Sequence, residues 1–288
     1  MATNRLTAGE WIERIVLALL FTGFGALIII VFSPWTPKFD NALYDYLGRI
    51  GISVLLLVLT LLIRNSRRFE KYWSVFFGLF VLSAAVTADR VFSIYLLDFL
   101  GVSGSNPASI ALTKLNECAV IVFVIILCTK SSNASLGSIY LQKGNLKLGL
   151  MIGLIAFLFF IATSVPIASL MFKGKDLTLA RMLPWIPWIL IFVLANGFLE
   201  ELLFRGLFLR KLEPFYGKFL SNFLIAFVFT ILHKGASYNS SGILFLLVLF
   251  PLALVCGYLA QKTNALWAST LLHAGMDISV ALSIFSTL

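Results

Sequence analysis

The sequence predicts an all-α fold, a polytopic transmembrane helical bundle of about eight or nine spans. Of its 288 residues, 60% are hydrophobic and 12% are charged, whereas soluble domains contain roughly 25% charged residues. The apolar residues form continuous runs of roughly 17–25 residues, the length that crosses a bilayer as a helix. Because apolar and polar residues do not alternate within these runs, a transmembrane β-barrel is excluded. Most of the molecular surface is therefore expected to face lipid.

Nine apolar runs are candidate spans, and eight is an equally good number because one run is weak. Asp89 and Arg90 interrupt the weak run, where they could mark a break or a buried pair. The first run lacks a convincing small-residue cleavage site and is expected to be a retained span. The nine candidate runs are 11–32, 48–63, 73–97, 109–128, 148–172, 184–212, 218–233, 242–260 and 266–286.

The basic residues give a net charge of +9, but they lie in short clusters between the apolar runs and not along one helix face. Nucleic acid is therefore not an expected partner, and the lipid bilayer is. The positive-inside rule places these clusters in the cytoplasm, with the N-terminus on the same side. The densest cluster contains Arg64, Arg67, Arg68 and Lys71.

A polar connector at 129–147 divides the chain into two predicted parts. Residues 1–134 contain spans of unassigned role, and residues 135–288 contain the candidate site. The three cysteines lie in apolar stretches and are odd in number, so no disulfide framework is indicated. No phosphate-binding glycine loop and no HExxH or CxxC motif appears.

An acidic pair lies in the sixth apolar run, where ionisable residues are costly and therefore functional candidates. Glu201 and Arg205 are four residues apart with the acid first, the favoured order for an ion pair on a helix. Glu200 is turned by about 100° from Glu201. We therefore expect Glu201 to be paired and Glu200 to be free to act as a general base.

The chain's two histidines lie in the same third as the acidic pair. Phe229 and His233 are i,i+4 neighbours in the seventh run, and His273 and Asp277 share a helix face in the ninth. Three spans thus offer polar groups to a common pocket. Such a set could hold a metal with an open water position, or could activate water and stabilise an oxyanion without a metal.

Structural interpretations compete with these functional ones. A Glu–Arg pair in a membrane helix is usually a clamp, and a lone membrane histidine often donates an interhelical hydrogen bond. For Lys114 with Glu117, as for Asp89 with Arg90, structural pairing is the main interpretation. The coincidence of Glu200 and both histidines in one third of the chain favours a site there.

These residues, in this order on consecutive apolar runs, resemble the CPBP family of intramembrane proteases. That family includes the type II CAAX prenyl endopeptidases and bacterial proteins linked to bacteriocin processing or self-immunity. The resemblance covers roughly residues 135–288. It rests on the motifs Glu200-Glu201-x-x-x-Arg205, Phe229-x-x-x-His233 and His273-x-x-x-Asp277.

By this resemblance, Glu200 would activate water with His233 as its partner, and His273 with Asp277 would stabilise the oxyanion. Glu201, Arg205 and Phe229 would support the site. Asp277 stands where the eukaryotic enzymes usually have Asn, and an ionised Asp cannot donate to an oxyanion. Asp277 could instead orient His273 or bind a cation. The cofactor is unknown; a divalent metal such as zinc would be held by Glu200, His233 and His273.

The resulting hypothesis is an endopeptidase of the bacterial cytoplasmic membrane that hydrolyses a peptide bond of a membrane-associated protein or peptide. Two alternatives stay open. One is a non-catalytic membrane scaffold or bacteriocin self-immunity protein. The other is a proton-coupled transporter, which the absence of an obvious internal repeat disfavours.

Overall fold

The computed structural model describes residues 7–33, 36–235 and 242–288, and this part of the chain is all-helical. Eight helical stretches within it are long and apolar enough to cross a membrane, which confirms the predicted fold class. Its ten α-helices are α1 (Ala8–Ala26), α2 (Ala42–Arg64), α3 (Trp73–Phe99), α4 (Pro107–Ser131), α5 (Leu146–Met171), α6 (Leu179–Met182), α7 (Ile186–Glu201), α8 (Arg210–Leu232), α9 (Ile243–Thr263) and α10 (Trp267–Ser286). Two π-helical segments, Leu27–Val31 and Leu202–Leu209, follow α1 and α7.

The sixth and seventh predicted runs form one helical stretch, Leu179–Leu232, which contains 54 residues. A straight helix of that length would measure about 80 Å, far more than the roughly 30 Å of a bilayer's hydrocarbon core. The chain turns back at Gly217, whose φ of 69° and ψ of 174° are open essentially only to glycine. The rings of Phe204 and Phe229 consequently lie 5.0 Å apart. The two runs are therefore separate antiparallel segments.

Helix α10 lies at the centre of the C-terminal half, with α5, α7 and α9 packed against it. Glycine permits the closest of these approaches. A Cβ atom on Gly197 of α7 would lie 2.9 Å from the backbone nitrogen of Ala274 and 3.1 Å from the carbonyl oxygen of Thr270. The backbones of α7 and α10 are thus in contact at the level of the acidic pair.

Helix α3 continues without a break through Asp89 and Arg90, which the sequence marked as a possible interruption. Arg90 points to α2, where its Nε lies 3.7 Å from the Asp45 carboxylate. That carboxylate also binds the buried guanidinium of Arg49 at 2.8 Å. The charges in the N-terminal spans are thus compensated between helices.

The connectors at one end of the bundle are tied together by hydrogen bonds. The Tyr216 hydroxyl donates to the Arg14 carbonyl at 2.6 Å, and Arg210 donates to the Gly137 carbonyl at 2.7 Å. Burial raises the pKa of Tyr140, between α4 and α5, to about 12, and the Arg210 guanidinium lies 4.1 Å from the centre of its ring. The two halves of the chain therefore form one packed body at this end.

The close approach at Gly197 gives a direct test of the packing. Gly197→Ala should lower the free energy of unfolding by about 1–3 kcal/mol because its methyl group overlaps α10. Gly23→Ala is the matched control, since nothing lies within 4 Å of a Cβ there. It should be neutral or slightly stabilising, as Ala is favoured over Gly in helices. Thermal unfolding in detergent measures both, and equal effects of the two substitutions would contradict the packing.

Candidate active site

The antiparallel register of α7 and α8 brings Glu200 level with His233. Phe204 faces Phe229, and Glu200 and His233 each lie four residues from their own member of that ring pair. The sequence places Glu200 near the middle of its run and His233 at the far end of its own, which suggests different depths. The difference disappears because α8 ends at Leu232, one residue before His233 and level with the last turn of α7.

One oxygen of the Glu200 carboxylate lies between the two histidines. Its Oε2 is 3.8 Å from Nε2 of His233 and 3.6 Å from Nε2 of His273. This buried oxygen has no hydrogen-bond partner in the described part of the protein. The separations are too long for direct hydrogen bonds and suit a bridging water molecule.

The other ring nitrogen of each histidine is already engaged, which fixes the ring orientation. His233 Nδ1 lies 2.8 Å from the carbonyl oxygen of Phe229, and His273 Nδ1 lies 2.9 Å from Oε1 of Glu201. A carbonyl oxygen and an ionised carboxylate only accept, so both Nδ1 atoms carry the proton. In the neutral rings, each Nε2 is therefore an acceptor directed at the space beside Glu200.

Asn196 belongs to the site, and the sequence analysis missed it. Its side-chain amide donates to Oε1 of Glu200 at 3.2 Å and to Oδ2 of Asp277 at 2.9 Å. The same Asp277 oxygen lies 3.8 Å from Nε2 of His273. The sequence did contain a signal for Asn196: an amide side chain inside an apolar run, one helical turn before Glu200. The cost of polar groups in membranes applies to amides as well as to charges.

The predicted ion pair of Glu201 and Arg205 is confirmed and is fully buried. Arg205 Nη1 donates to Glu201 Oε1 at 2.8 Å, and Nη2 donates to the Ala253 carbonyl at 2.9 Å. The guanidinium also lies 4.7 Å from the centre of the Phe229 ring. Glu201 thus binds both Arg205 and His273, while Glu200 faces the pocket, as their 100° separation on the helix predicts.

The predicted residues therefore come together in one pocket. The side chains of Glu200 and His233 keep 18% and 19% of their surface exposed, so water can reach them, whereas His273 keeps only 4%. A carboxylate and two imidazoles around one small space can bind water, remove its proton and donate hydrogen bonds to a reacting oxygen.

The expected zinc ligands surround the same small space. Zinc ligands lie about 2.0–2.2 Å from the metal, which requires donor atoms closely spaced around one point. Among the residues described, no group of three or more His, Cys, Asp or Glu side chains is arranged to hold a metal ion. Zinc binding by Glu200, His233 and His273 therefore stays a prediction.

The buried pair gives a stability prediction. Arg205→Gln should lower the free energy of unfolding by roughly 3–5 kcal/mol, because it leaves Glu201 buried without its cation. Lys71→Gln breaks the ion pair with Glu13, in which the lysine side chain is 53% exposed, and should cost less than about 1 kcal/mol. Thermal unfolding in detergent separates the two cases. Similar losses would mean that Glu201 does not depend on Arg205.

The chain was compared with known proteins. The family model described as "Type II CAAX prenyl endopeptidase Rce1-like" matches residues 182–279. The matched segment includes Asn196, Glu200, His233, His273 and Asp277. No curated protein and no solved structure gave a significant match.

Proposed function

We propose that this membrane protein hydrolyses a peptide bond of a membrane-associated protein or peptide, since residues 182–279 match the family model of type II CAAX prenyl endopeptidases. One observation carries the proposal. The buried Oε2 of Glu200 has no hydrogen-bond partner and faces Nε2 of His233 and of His273. A water molecule held there would lie beside a carboxylate able to take its proton.

In the first step, Glu200 removes a proton from this water while the water oxygen attacks the scissile carbonyl carbon. His233 accepts a second hydrogen bond from the water through Nε2, because its Nδ1 proton is held by the Phe229 carbonyl. The carbonyl π electrons move to oxygen and form the oxyanion of a tetrahedral intermediate. Glu200 is then a carboxylic acid.

In the second step, the oxyanion re-forms the carbonyl and the C–N bond breaks. Glu200 returns its proton to the leaving nitrogen, which gives an amine, and the former water oxygen stays in the new carboxyl group. His273, when it carries a proton on both nitrogens, donates Nδ1–H to Glu201 and Nε2–H to the oxyanion. Asp277 accepts a hydrogen bond from the Asn196 amide and thereby orients the pocket. It does not donate to the oxyanion.

The distribution of basic residues supports an orientation with the N-terminus inside. Connectors that follow α2 and α4 carry Arg67, Arg68 and Lys143, and the first turn of α8 carries Arg210 and Lys211. The hydrogen bond from the Tyr216 hydroxyl of α8 to the Arg14 carbonyl places the first half of α1 at the same end of the bundle. Under the positive-inside rule this end faces the cytoplasm. A bacterial cytoplasmic membrane stays a prediction.

The central test is Glu200→Gln. It keeps the side-chain shape but removes the base, so cleavage should fall by at least about 10²–10⁴-fold. The assay uses purified protein in liposomes with two internally quenched peptides that end in a CAAX sequence, one farnesylated and one not. Preferential cleavage of the farnesylated peptide would indicate a prenylated substrate, and equal cleavage an unprenylated one.

Glu213→Gln is the control for Glu200→Gln. Glu213 is also a half-buried glutamate on a helix, but it accepts from Gln261 and Tyr140 away from the pocket. This variant should cleave at the wild-type rate. The proposal fails if Glu200→Gln retains full cleavage at equal membrane levels, or if wild type cleaves neither peptide nor a library of membrane-anchored peptides.

Asn196 provides a separate prediction. Asn196→Leu removes the amide that joins Glu200 to Asp277, so the carboxylate that binds water loses its support. We expect kcat to fall by about tenfold or more while KM changes little, because the amide nitrogen already donates to Glu200 and Asp277 within the pocket. Steady-state kinetics on the cleaved quenched peptide measure both constants. A rise in KM alone would instead place Asn196 in the substrate-binding surface.

A further inference from the structure

A buried ion pair on α4 lies outside the matched family segment. Lys114 Nζ and Glu117 Oε2 are 2.5 Å apart, one helical turn from each other, and confirm the predicted pairing. The lysine side chain is only 16% exposed and the glutamate 11%. Taken alone, this ion pair has a structural role, because pairing lowers the cost of two charges inside a membrane helix.

The packing of α4 also brings the ion pair close to α7 and α10. Ala111, Val193 and Ala281 belong to one buried apolar cluster that joins α4, α7 and α10. Helices α4 and α7 run in the same direction, since one membrane crossing, α5, separates them. Lys114 lies three residues beyond Ala111 on the face turned toward α7.

The site residues lie at the same level. Asn196 lies three residues beyond Val193 on α7, and Asp277 lies four residues before Ala281 on the antiparallel α10. Lys114 interacts electrostatically with Glu200 and with Asp277, besides its own partner Glu117. Its charge therefore acts on both carboxylates of the pocket.

A cation from outside the motif residues would stabilise the two carboxylates of the pocket. Glu200 and Asp277 are two carboxylates joined through one amide. The guanidinium nearest in sequence, Arg205, is already bound to Glu201. Like charges held close together in a dry interior repel strongly unless an opposite charge lies nearby.

We propose that Lys114 is a positioning residue of this site, the cation on α4 that balances Glu200 and Asp277 and keeps them together around the bound water. Glu117 holds the lysine in place from its far side, toward α3, where Glu117 and Asp89 also interact. The N-terminal spans thereby complete a site whose other residues all lie in the C-terminal part. The statement that Lys114 supports cleavage rests on the proposed function. The statement that its charge balances Glu200 and Asp277 does not.

A double-mutant cycle on thermal unfolding tests the electrostatic link without any substrate. The variants are Lys114→Met, Glu200→Gln and the two combined, in detergent. If Lys114 balances Glu200, its removal costs less when Glu200 is already neutral, by at least about 2 °C in Tm. Lys114→Met breaks the Lys114–Glu117 ion pair both in wild type and in Glu200→Gln, so this loss cancels when the two changes in Tm are compared. Additive changes in Tm would overturn the proposal.

Lys211→Met is the matched control for this cycle. Lys211 is also a half-buried lysine, but it lies at the predicted cytoplasmic end of the bundle, where its Nζ donates to the Leu207 carbonyl at 2.6 Å. Its effect on Tm should add to that of Glu200→Gln. Equal non-additivity in both cycles would show a general response to lost lysines and would also overturn the proposal.

A charge swap separates positioning from structural pairing during cleavage. Lys114→Glu combined with Glu117→Lys preserves the ion pair but moves the cation one turn away from the pocket. We expect kcat to stay about tenfold low in the swap and in Lys114→Met, and Lys114→Arg to recover most of it. A swap with wild-type kcat, or a Lys114→Met variant that changes only KM, would refute positioning. If wild type cleaves no peptide, the proposed function fails while the stability cycle still decides the electrostatic link.

Discussion

The buried carboxylate of Glu201 is the point on which the geometry of the site depends. It binds the guanidinium of Arg205 and the Nδ1 proton of His273, so it joins α7 to α10 at the level where Gly197 lets the two backbones touch. Arg205 in turn lies over the Phe229 ring, whose own carbonyl holds His233. Glu201 therefore orients His273 directly, whereas His233 is oriented by the backbone of its own helix.

The adjacent acids have different tasks because the helix separates them. A rotation of about 100° per residue sends Glu201 into the protein interior and Glu200 into a partly hydrated space. Glu201 is bound by a cation and an imidazole through one oxygen, whereas the buried Oε2 of Glu200 faces the two histidine Nε2 atoms. In most buried settings such an oxygen would be a defect. Between two imidazole rings it becomes a place for water.

Local spacing explains why much of the site could be predicted from sequence. The pairing of Glu201 with Arg205, and the shared face of His273 and Asp277, follow from four-residue intervals on one helix. The length of the apolar runs predicted the spans, because bilayer thickness sets it. The level of His233, however, depends on where α8 ends and on the reversal at Gly217, which are consequences of packing between helices. The contact of Asn196 with Asp277 and the role proposed for Lys114 could not be predicted for the same reason, since the partners lie on other helices.

Charges in the spans illustrate how a bilayer constrains catalysis. Arg49, Arg205 and Lys114 each bind a carboxylate on the following or preceding turn, which lowers the cost of carrying them into lipid. A catalytic base cannot be neutralised so closely, because a bonded cation would hold its lone pairs and keep it from taking a proton. A carboxylate at the site is better stabilised from a distance, by oriented amide and imidazole dipoles and by a cation on a neighbouring helix. The arrangement of Glu200, with Asn196 beside it and Lys114 on α4, follows this requirement.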